Sequence, residues 1–506
     1  MGTRTREIIF GPPGTGKTTE LISIVERSIK SGYEPDQIAF LSFTKKAACE
    51  AVDRVAHLLR EEPLYFRTIH SLAFRVCNLS SNIVMRAKDF QELGDLLGIE
   101  VSGYANMEEG TLSTKNVGDR LFFLINLARV RKIPLVQAWE EADDELIDWN
   151  ELERTDRAYT AFKLDRGLYD FTDMLVMFSE KDMSKLGIKV LIVDEAQDLS
   201  PLQWDIIEAI IETAEDIYIA GDDDQAIYHW AGADSDYLID CKRHQQGFKI
   251  RVLDQSYRIP VNIHKLSNDI IKHVGNRQTK VFKPKKEKGL VSYESDYDHI
   301  DMSKDTGTWL LLARNGYMLK DYKDSCHVNG WPFEARGNDT VKNNIMSAIL
   351  GWTRGCQNKP ILYQNVLNIC RYASKNNGNH VEYKELKKLA KKSHIMLSEL
   401  RQMGLSMQGI WHQALDLIPA EIREFYISGL RQGEDLMRPR IKISTIHGVK
   451  GGEADNVVVM TDLSYKVYQQ YNADDTQERK VFYVAITRAK KRLYIISPKT
   501  NMFFEV

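Results

Sequence analysis

Gly11-Pro12-Pro13-Gly14-Thr15-Gly16-Lys17-Thr18 is the stretch that most narrows what this chain can fold into. A short apolar strand, Ile8-Ile9-Phe10, leads into it, and the segment that follows carries Leu21, Ile22, Val25 and Ile29 on one helical face. Strand, glycine-rich loop and helix in direct succession make an anion cradle. The glycines let backbone N–H groups turn inward, and the helix N-terminus adds its partial positive charge. Lys17 then stands where it can reach the β- and γ-phosphates of a nucleotide, and the Thr18 hydroxyl where it can ligate magnesium. A turn that merely joins two elements has no need of Lys-Thr in this register.

A second stretch gives the loop a purpose. The apolar run Val190-Leu191-Ile192-Val193 ends in Asp194-Glu195-Ala196-Gln197-Asp198. A buried strand ending in two carboxylates can hold a magnesium ion and polarise a water beside it, as cleavage of a γ-phosphate requires. Alone, the segment also reads as an exposed acidic turn; the phosphate loop favours the hydrolytic reading.

The chain has 506 residues, more than one core usually supports, so two or more domains are expected. With 43% hydrophobic and 27% charged residues it has the balance of a soluble globular protein. A net charge of −3 excludes a protein coated in basic charge, so any nucleic-acid contact is a local groove. The six cysteines, at 49, 77, 241, 326, 356 and 370, show no metal-site spacing and read as reduced thiols. Met1 to Arg6 run straight into the first strand, which leaves no room for a signal peptide, and no apolar run approaches a membrane span. The expected compartment is the cytoplasm, with no membrane partner.

Other apolar, β-branched runs are Ile38 to Phe43, Ile217 to Gly221, Trp309 to Ala313, Ile441 to Ser444, Val457 to Met460 and Leu493 to Ile496. Runs without alternation suit parallel strands covered by helices on both faces. Two such sheets are implied, one before about residue 245 and one after it. Between the strands, two stretches look helical. One includes a stripe of Phe90, Leu93, Leu96 and Leu97 and a second stripe from Leu121 to Val130. The other holds the charged run from Lys384 to Lys392 and the set Ile422, Phe425, Tyr426 and Leu430. Charge runs of this kind are most simply solvated helix faces. The division expected is a first core domain at 1–75 and 167–245 with a helical insertion at 76–166. A second core domain follows at 246–319 and 440–506, with a helical insertion at 320–439.

The ordered motifs carry a family resemblance. After the phosphate loop come Phe43-Thr44-Lys45-Lys46-Ala47-Ala48, Thr68-Ile69-His70-Ser71, Asp170-Phe171-Thr172-Asp173 and the acidic stretch at Asp194. Then follow Gly221-Asp222-Asp223-Asp224-Gln225-Ala226-Ile227-Tyr228, Tyr257-Arg258, Ala313-Arg314-Asn315, Thr445-Ile446-His447-Gly448-Val449-Lys450-Gly451 and Tyr483-Val484-Ala485-Ile486-Thr487-Arg488-Ala489. In this order the set resembles a compact superfamily 1 DNA helicase of the UvrD/Rep/PcrA type, of a size suited to a phage or a small defence operon.

The resemblance implies an α/β fold of two RecA-like parallel-sheet core domains, each with an inserted mainly helical subdomain. ATP with Mg2+ would be hydrolysed in a cleft between the cores. Gly11, Pro12, Pro13, Gly14, Thr15, Gly16, Lys17, Thr18 and Thr19 would hold the nucleotide, with Tyr257 stacking on the base and Glu453 on the ribose. Thr18 and Asp194 would hold the metal, Glu195 would be the general base, and Gln225 would report the γ-phosphate state. Arg258 and Arg488, from the second half of the chain, would meet the γ-phosphate when the cleft closes. Phe43, Tyr228 and Trp230 would stack on bases of a single strand; Thr44, His70, Arg314, Thr445 and His447 would grip it. The Asp222-Asp223-Asp224 run reads as a turn after its strand rather than a second metal site.

Some positions depart from the pattern. Only ten residues precede Gly11, where relatives carry an adenine-reading glutamine segment. Ala231 follows Trp230, where relatives place an arginine read as a γ-phosphate contact, and Thr19 stands where they have an arginine on the base. The chain stops soon after its last strand, before the duplex-splitting hairpin of relatives. Translocation is therefore better supported than unwinding. The leading expectation is an ATP-dependent single-stranded DNA translocase and helicase of 3′-to-5′ polarity, in replication or repair, acting on single strands and tailed duplexes. The alternatives are a nucleotide-driven switch or loader for a replication, repair or nuclease partner, and an RNA track.

Overall fold

The computed structural model describes residues 4–43, 45–58, 63–103, 116–239, 247–335, 342–392 and 394–506. The chain forms two compact units, residues 1–290 with 469–491, and residues 291–468 with 492–506.

The first unit is built on β1 (Arg6–Phe10), β2 (Ile38–Ser42), β3 (Phe66–Thr68), β4 (Val190–Asp194), β5 (Asp216–Gly221) and β6 (Lys249–Val252). Their order is β3-β2-β4-β5-β1-β6, and neighbouring strands run parallel. The sheet thus extends past residue 245, because β6 pairs with β1. Successive residues of a strand point to opposite faces. Val190 and Ile192 of β4 enter one core with Ile9, Ile38 and Phe40, while Leu191 and Val193 enter another with Ile8, Phe10 and Leu41. Helix Lys17–Lys30 covers the first face with Leu21, Ile22, Ile24 and Val25. Helix Pro201–Thr213 covers the second with Trp204, Ile206, Ile207 and Ile210. With both faces covered, every residue of β2 and β4 is buried, which is why these strands read as unbroken apolar runs.

Parallel direction puts all the strands' carboxyl ends on one edge. Because β5 lies between β4 and β1, Asp194, Asp222 and Gly11 follow neighbouring strands roughly 4.8 Å apart. That edge is where open α/β sheets bind ligands.

Helices Ala87–Leu97, Val117–Arg131, Leu135–Ala142 and Trp149–Arg166 share a core of their own, with Leu93, Leu121, Phe122, Ile125, Leu152 and Tyr159. Leu96, expected on the buried stripe, is 70% exposed. At about 100° per residue, Phe90, Leu93 and Leu97 share a narrow arc and Leu96 falls beyond it. Asp170 fastens these helices to helix Phe171–Ser179. Its carboxylate accepts from Arg129 (2.7 Å), Lys163 (2.5 Å) and the Tyr159 hydroxyl (2.7 Å). Burial pushes the Asp170 carboxyl up, but the two cations outweigh it and hold the group down at about 2.

The second unit contains β7 (Leu290–Glu294), β8 (Trp309–Ala313), β9 (Phe333–Ala335), β10 (Ile441–Thr445), β11 (Ala454–Met460) and β12 (Ala489–Ile496), in the order β7-β12-β11-β8-β10-β9. β8 runs parallel to β10 and β11, and β10 parallel to β9. β9 lies inside the stretch expected to be helical throughout. Helices Asn343–Cys356, Tyr363–Tyr372 and Ala420–Arg431 close on Trp352, Ile361, Ile369, Leu400 and Tyr426. Ile422 and Phe425 pack against that core, whereas Leu430 is 47% exposed. Lys384, Lys387, Lys388, Lys391 and Lys392 are exposed, so the charge run is a solvated face. Among the described residues no helix is long and apolar enough to cross a membrane.

Candidate functional site

The phosphate loop hangs from β1 by a backbone bond, Gly11 N to the Gly221 carbonyl (3.1 Å), and curls around the buried Lys17 ammonium, which donates to the Gly11 carbonyl (2.7 Å). Gly14 has φ +73°, and a Cβ there would come within 2.3 Å of the Arg258 Cβ. Glycine is required by both the conformation and the approach. The segment that presses on it straps the loop down. The Ser256 hydroxyl donates to the Pro13 carbonyl (2.8 Å), and the Tyr257 N–H donates to the Gly14 carbonyl (2.8 Å). The Tyr257 ring is left 76% exposed beside the loop, free to stack on a planar base.

From β4, the Asp194 carboxylate accepts from the Thr18 hydroxyl (3.0 Å) and from the Glu195 backbone N–H (2.9 Å). Burial first, and the neighbouring Glu195 carboxylate second, push the Asp194 carboxyl up to about 7 against the pull of Lys17. Glu195 holds a left-handed backbone, φ +55°, a strained conformation of the kind found at working sites. Its side chain accepts from Gln197 Nε2 (2.6 Å), and Gln197 Oε1 in turn accepts from the Asp222 backbone N–H (2.9 Å).

β5 delivers the third part. The turn Asp223–Gln225 follows it, with Gln225 Nε2 donating to Asp222 Oδ2 (2.7 Å) and Gln225 Oε1 accepting from Arg488 Nη2 (2.7 Å). Arg488 is 2% exposed and also donates to the Val484 carbonyl (2.9 Å). The Asp222-Asp223-Asp224 turn is held by cations: Lys280 reaches Asp222 (2.7 Å) and Asp224 (2.9 Å), and Arg277 binds Asp224 through two nitrogens. Its carboxylates are therefore already engaged by cations. Among the described residues no group of three or more His, Cys, Asp or Glu could hold a metal ion.

On the same unit lies a cavity of about 920 Å³, lined among others by Phe43, His70, Phe74, Phe171, Tyr228 and Ala231. Phe43 and Tyr228 stack with centroids 5.3 Å apart, Trp230 approaches Tyr228 at 6.5 Å, and His70 meets Phe171 edge-on at 6.1 Å. In the second unit, Arg314 follows β8 while Thr445 ends β10, whose register sets Thr445 opposite Ala313, and His447 comes two residues later. These three share the carboxyl edge of the second sheet. Glu453 precedes β11, which enters level with Thr308 at the opposite edge, so it stands apart from them.

Residues 3–246 match the model of the UvrD/REP helicase N-terminal domain, and residues 357–500 match that of the UvrD-like helicase C-terminal domain. The chain belongs to the UvrD/Rep helicase family. It is 21% identical over 609 residues to a probable DNA helicase II homolog of Rickettsia felis, covering 99% of this chain and 91% of that protein. It is 24% identical over 379 residues to the ATP-dependent DNA helicase PcrA of Leuconostoc citreum, covering 70% of this chain and 49% of that one. A third relative, the ATP-dependent DNA helicase Rep of Buchnera aphidicola, is 26% identical over 281 residues, covering 52% of this chain and 42% of Rep. By enzymatic class the chain is an ATP-dependent DNA helicase.

In this UvrD/Rep-type helicase the described site residues other than Glu453 fall into three groups. Lys17, Thr18, Asp194, Glu195, Gln225, Tyr257, Arg258 and Arg488 gather at the sheet edge of the first unit. Phe43, His70 and Tyr228 line the cavity, with Trp230 beside them. Arg314, Thr445 and His447 share an edge of the second unit. Thr44 lies outside the described residues. Arg258 and Arg488, expected to arrive only on closure of a cleft, are both packed into the first unit with the phosphate loop. Ala231, in the turn His229–Ala231, lines the cavity with Phe43. Thr19 accepts from Arg54 of helix Lys45–Val55 (3.1 Å). Sequence reasoning missed Gln197, Ser256 and Lys280, which bond to residues of the site, and Arg277, which neutralises Asp224 at its margin.

The hard oxygen donors Thr18 Oγ1 and Asp194 Oδ2, side by side, fit a magnesium ion that takes its remaining ligands from phosphate oxygens and water. A buried carboxyl whose pKa is raised by a second carboxylate is also where added positive charge is most welcome.

Proposed function

We propose that this helicase is an ATP-driven motor that moves 3′ to 5′ along single-stranded DNA. One observation carries the reading. The short segment after β5 supplies both Gln225, bonded to Arg488 at the hydrolytic centre, and, three residues later, Tyr228, stacked on Phe43 at the cavity. A nucleotide-dependent shift of Gln225 would be felt at once by a ring that holds a base. Polarity rests on the resemblance of the whole motif series to the family.

In the chemistry we infer, Tyr257 stacks on the adenine, and the loop N–H groups with Lys17 orient the β- and γ-phosphates. Glu195 takes the proton of the attacking water. Lys17, Arg258 and Arg488 spread their charge over the transferring oxygens, where preorganised cations act most strongly. Thr18 and Asp194 would hold magnesium, which supplies further neutralisation of phosphate charge when bound. A nucleotide switch for a repair or replication partner would need the hydrolytic residues but not a cavity faced by Phe43, His70 and Tyr228.

The test is strand displacement on duplexes carrying a 3′ or a 5′ single-stranded tail, with protein-stripping as the readout for movement without unwinding. Activity on 3′ tails supports the proposal, and activity on 5′ tails alone overturns its polarity. Trp230→Ala is expected to weaken single-strand binding by about 1–3 kcal/mol, the usual loss for one stacked base. DNA-free hydrolysis should stay within about twofold of wild type, since the Trp230 ring packs beside Tyr228 at the cavity. Equal loss of both activities would count against stacking.

A further inference from the structure

We propose that Lys280, which no motif contains, is a positioning residue for nucleotide hydrolysis. It would act by fixing the Asp222 carboxylate, and through it the Gln225 amide. The inference rests on the proposed roles of Glu195, Gln225 and Arg488.

The Lys280 side chain is 1% exposed and lies among three buried carboxylates, with its ammonium also over the Phe10 ring (5.8 Å), the last residue before the phosphate loop. Burial pulls an ammonium's pKa down, yet Asp222, Asp224 and Asp223 together hold this one above the usual lysine range. The charge is therefore kept, and it directs hydrogen bonds.

Lys280 Nζ takes Asp222 Oδ1 (2.7 Å), which leaves Oδ2 to accept from Gln225 Nε2 (2.7 Å). That choice turns Gln225 Oε1 towards Arg488 Nη2 (2.7 Å). A flipped amide would set N–H against N–H and push the guanidinium away. The backbone of Asp222 anchors a second contact that does not pass through its carboxylate. The Asp222 N–H donates to Gln197 Oε1 (2.9 Å), so Gln197 presents its NH2 to Glu195 (2.6 Å). One buried cation thus sets the orientation of Gln225, the partner of the proposed catalytic Arg488, while the backbone of the same Asp222 holds the partner of the proposed general base. Arg277 offers the contrast. It neutralises Asp224 in the same cluster but takes part in neither contact.

Steady-state kcat and KM for ATP, on the intact protein with saturating single-stranded DNA, test this. Lys280→Gln and the nearly isosteric Asp222→Asn are each expected to lower kcat about tenfold or more with KM within about threefold. Arg277→Gln should keep kcat within about twofold. Should Lys280→Gln not yield folded protein, Asp222→Asn carries the test alone. Full kcat in Asp222→Asn or in folded Lys280→Gln overturns the proposal, as does an equal loss in Arg277→Gln, which would mark the cluster as mere scaffolding. Lys17→Ala separates the two levels. If it hydrolyses ATP at the wild-type rate, the underlying reading fails; if it is inactive while Lys280→Gln is fully active, only the role of Lys280 fails.

Discussion

Lys17→Ala should reduce kcat/KM for ATP by about 10³-fold or more, the combined effect of losing a transition-state cation and a phosphate contact in a preorganised site. The ammonium now donates to the Gly11 carbonyl at 2.7 Å, at the mouth of a loop whose backbone is fixed independently by Gly221, Ser256 and Tyr257. Removing the side chain therefore takes away the charge without undoing the cradle. Circular dichroism and single-strand binding in the absence of nucleotide should be those of wild type. Hydrolysis within about tenfold of wild type would mean that another group holds the γ-phosphate.

Glu195→Gln has the second largest expected effect, with a different signature. An amide has nearly the shape of the carboxylate, so the left-handed backbone and the contact from Gln197 can persist. What is lost is the proposed base. A fall of about 10²–10⁴ in kcat is expected, with ATP binding within a few-fold of wild type. The measurement is single-turnover hydrolysis beside equilibrium nucleotide binding. The variant should bind ATP and fail to consume it. A parallel loss of binding would move Glu195 from the proton-transfer step into the nucleotide pocket.

How far the fold could be read from sequence depended on burial. β2, β4 and β8 announced themselves because both faces of each are covered and, apart from Asp194 at the end of β4, every residue is apolar or small. β6 did not, since Lys249 and Ile250 are exposed and the strand pairs at the sheet's edge. β3 and β9 are three residues long, too short to show a period. β7 is largely uncovered and carries no apolar run. The helical stripes were legible as stripes, but they were drawn too wide at the margin, where Leu96 and Leu430 are exposed.

The site divides in the same way. Gly11 to Thr18 and Asp194-Glu195 are contiguous, so the chemistry is written in adjacent letters. Lys280 lies 58 residues from Asp222 and Arg277 lies 53 from Asp224, and in sequence both look like ordinary surface cations. Their burial among carboxylates is a property of the tertiary fold. Ala231, read from sequence as the loss of a γ-phosphate contact, lines the cavity with Phe43 and Tyr228.

The central claim is that hydrolysis in the first unit serves movement on a single strand. Its most direct test is the steady-state ATPase rate of the intact protein with and without single-stranded DNA. The account predicts a rise of at least about tenfold, near 1.4 kcal/mol of transition-state stabilisation supplied through the β5 segment. It also predicts that the rise is lost in Phe43→Ala/Tyr228→Ala while the DNA-free rate stays. A wild-type rate indifferent to DNA would contradict it.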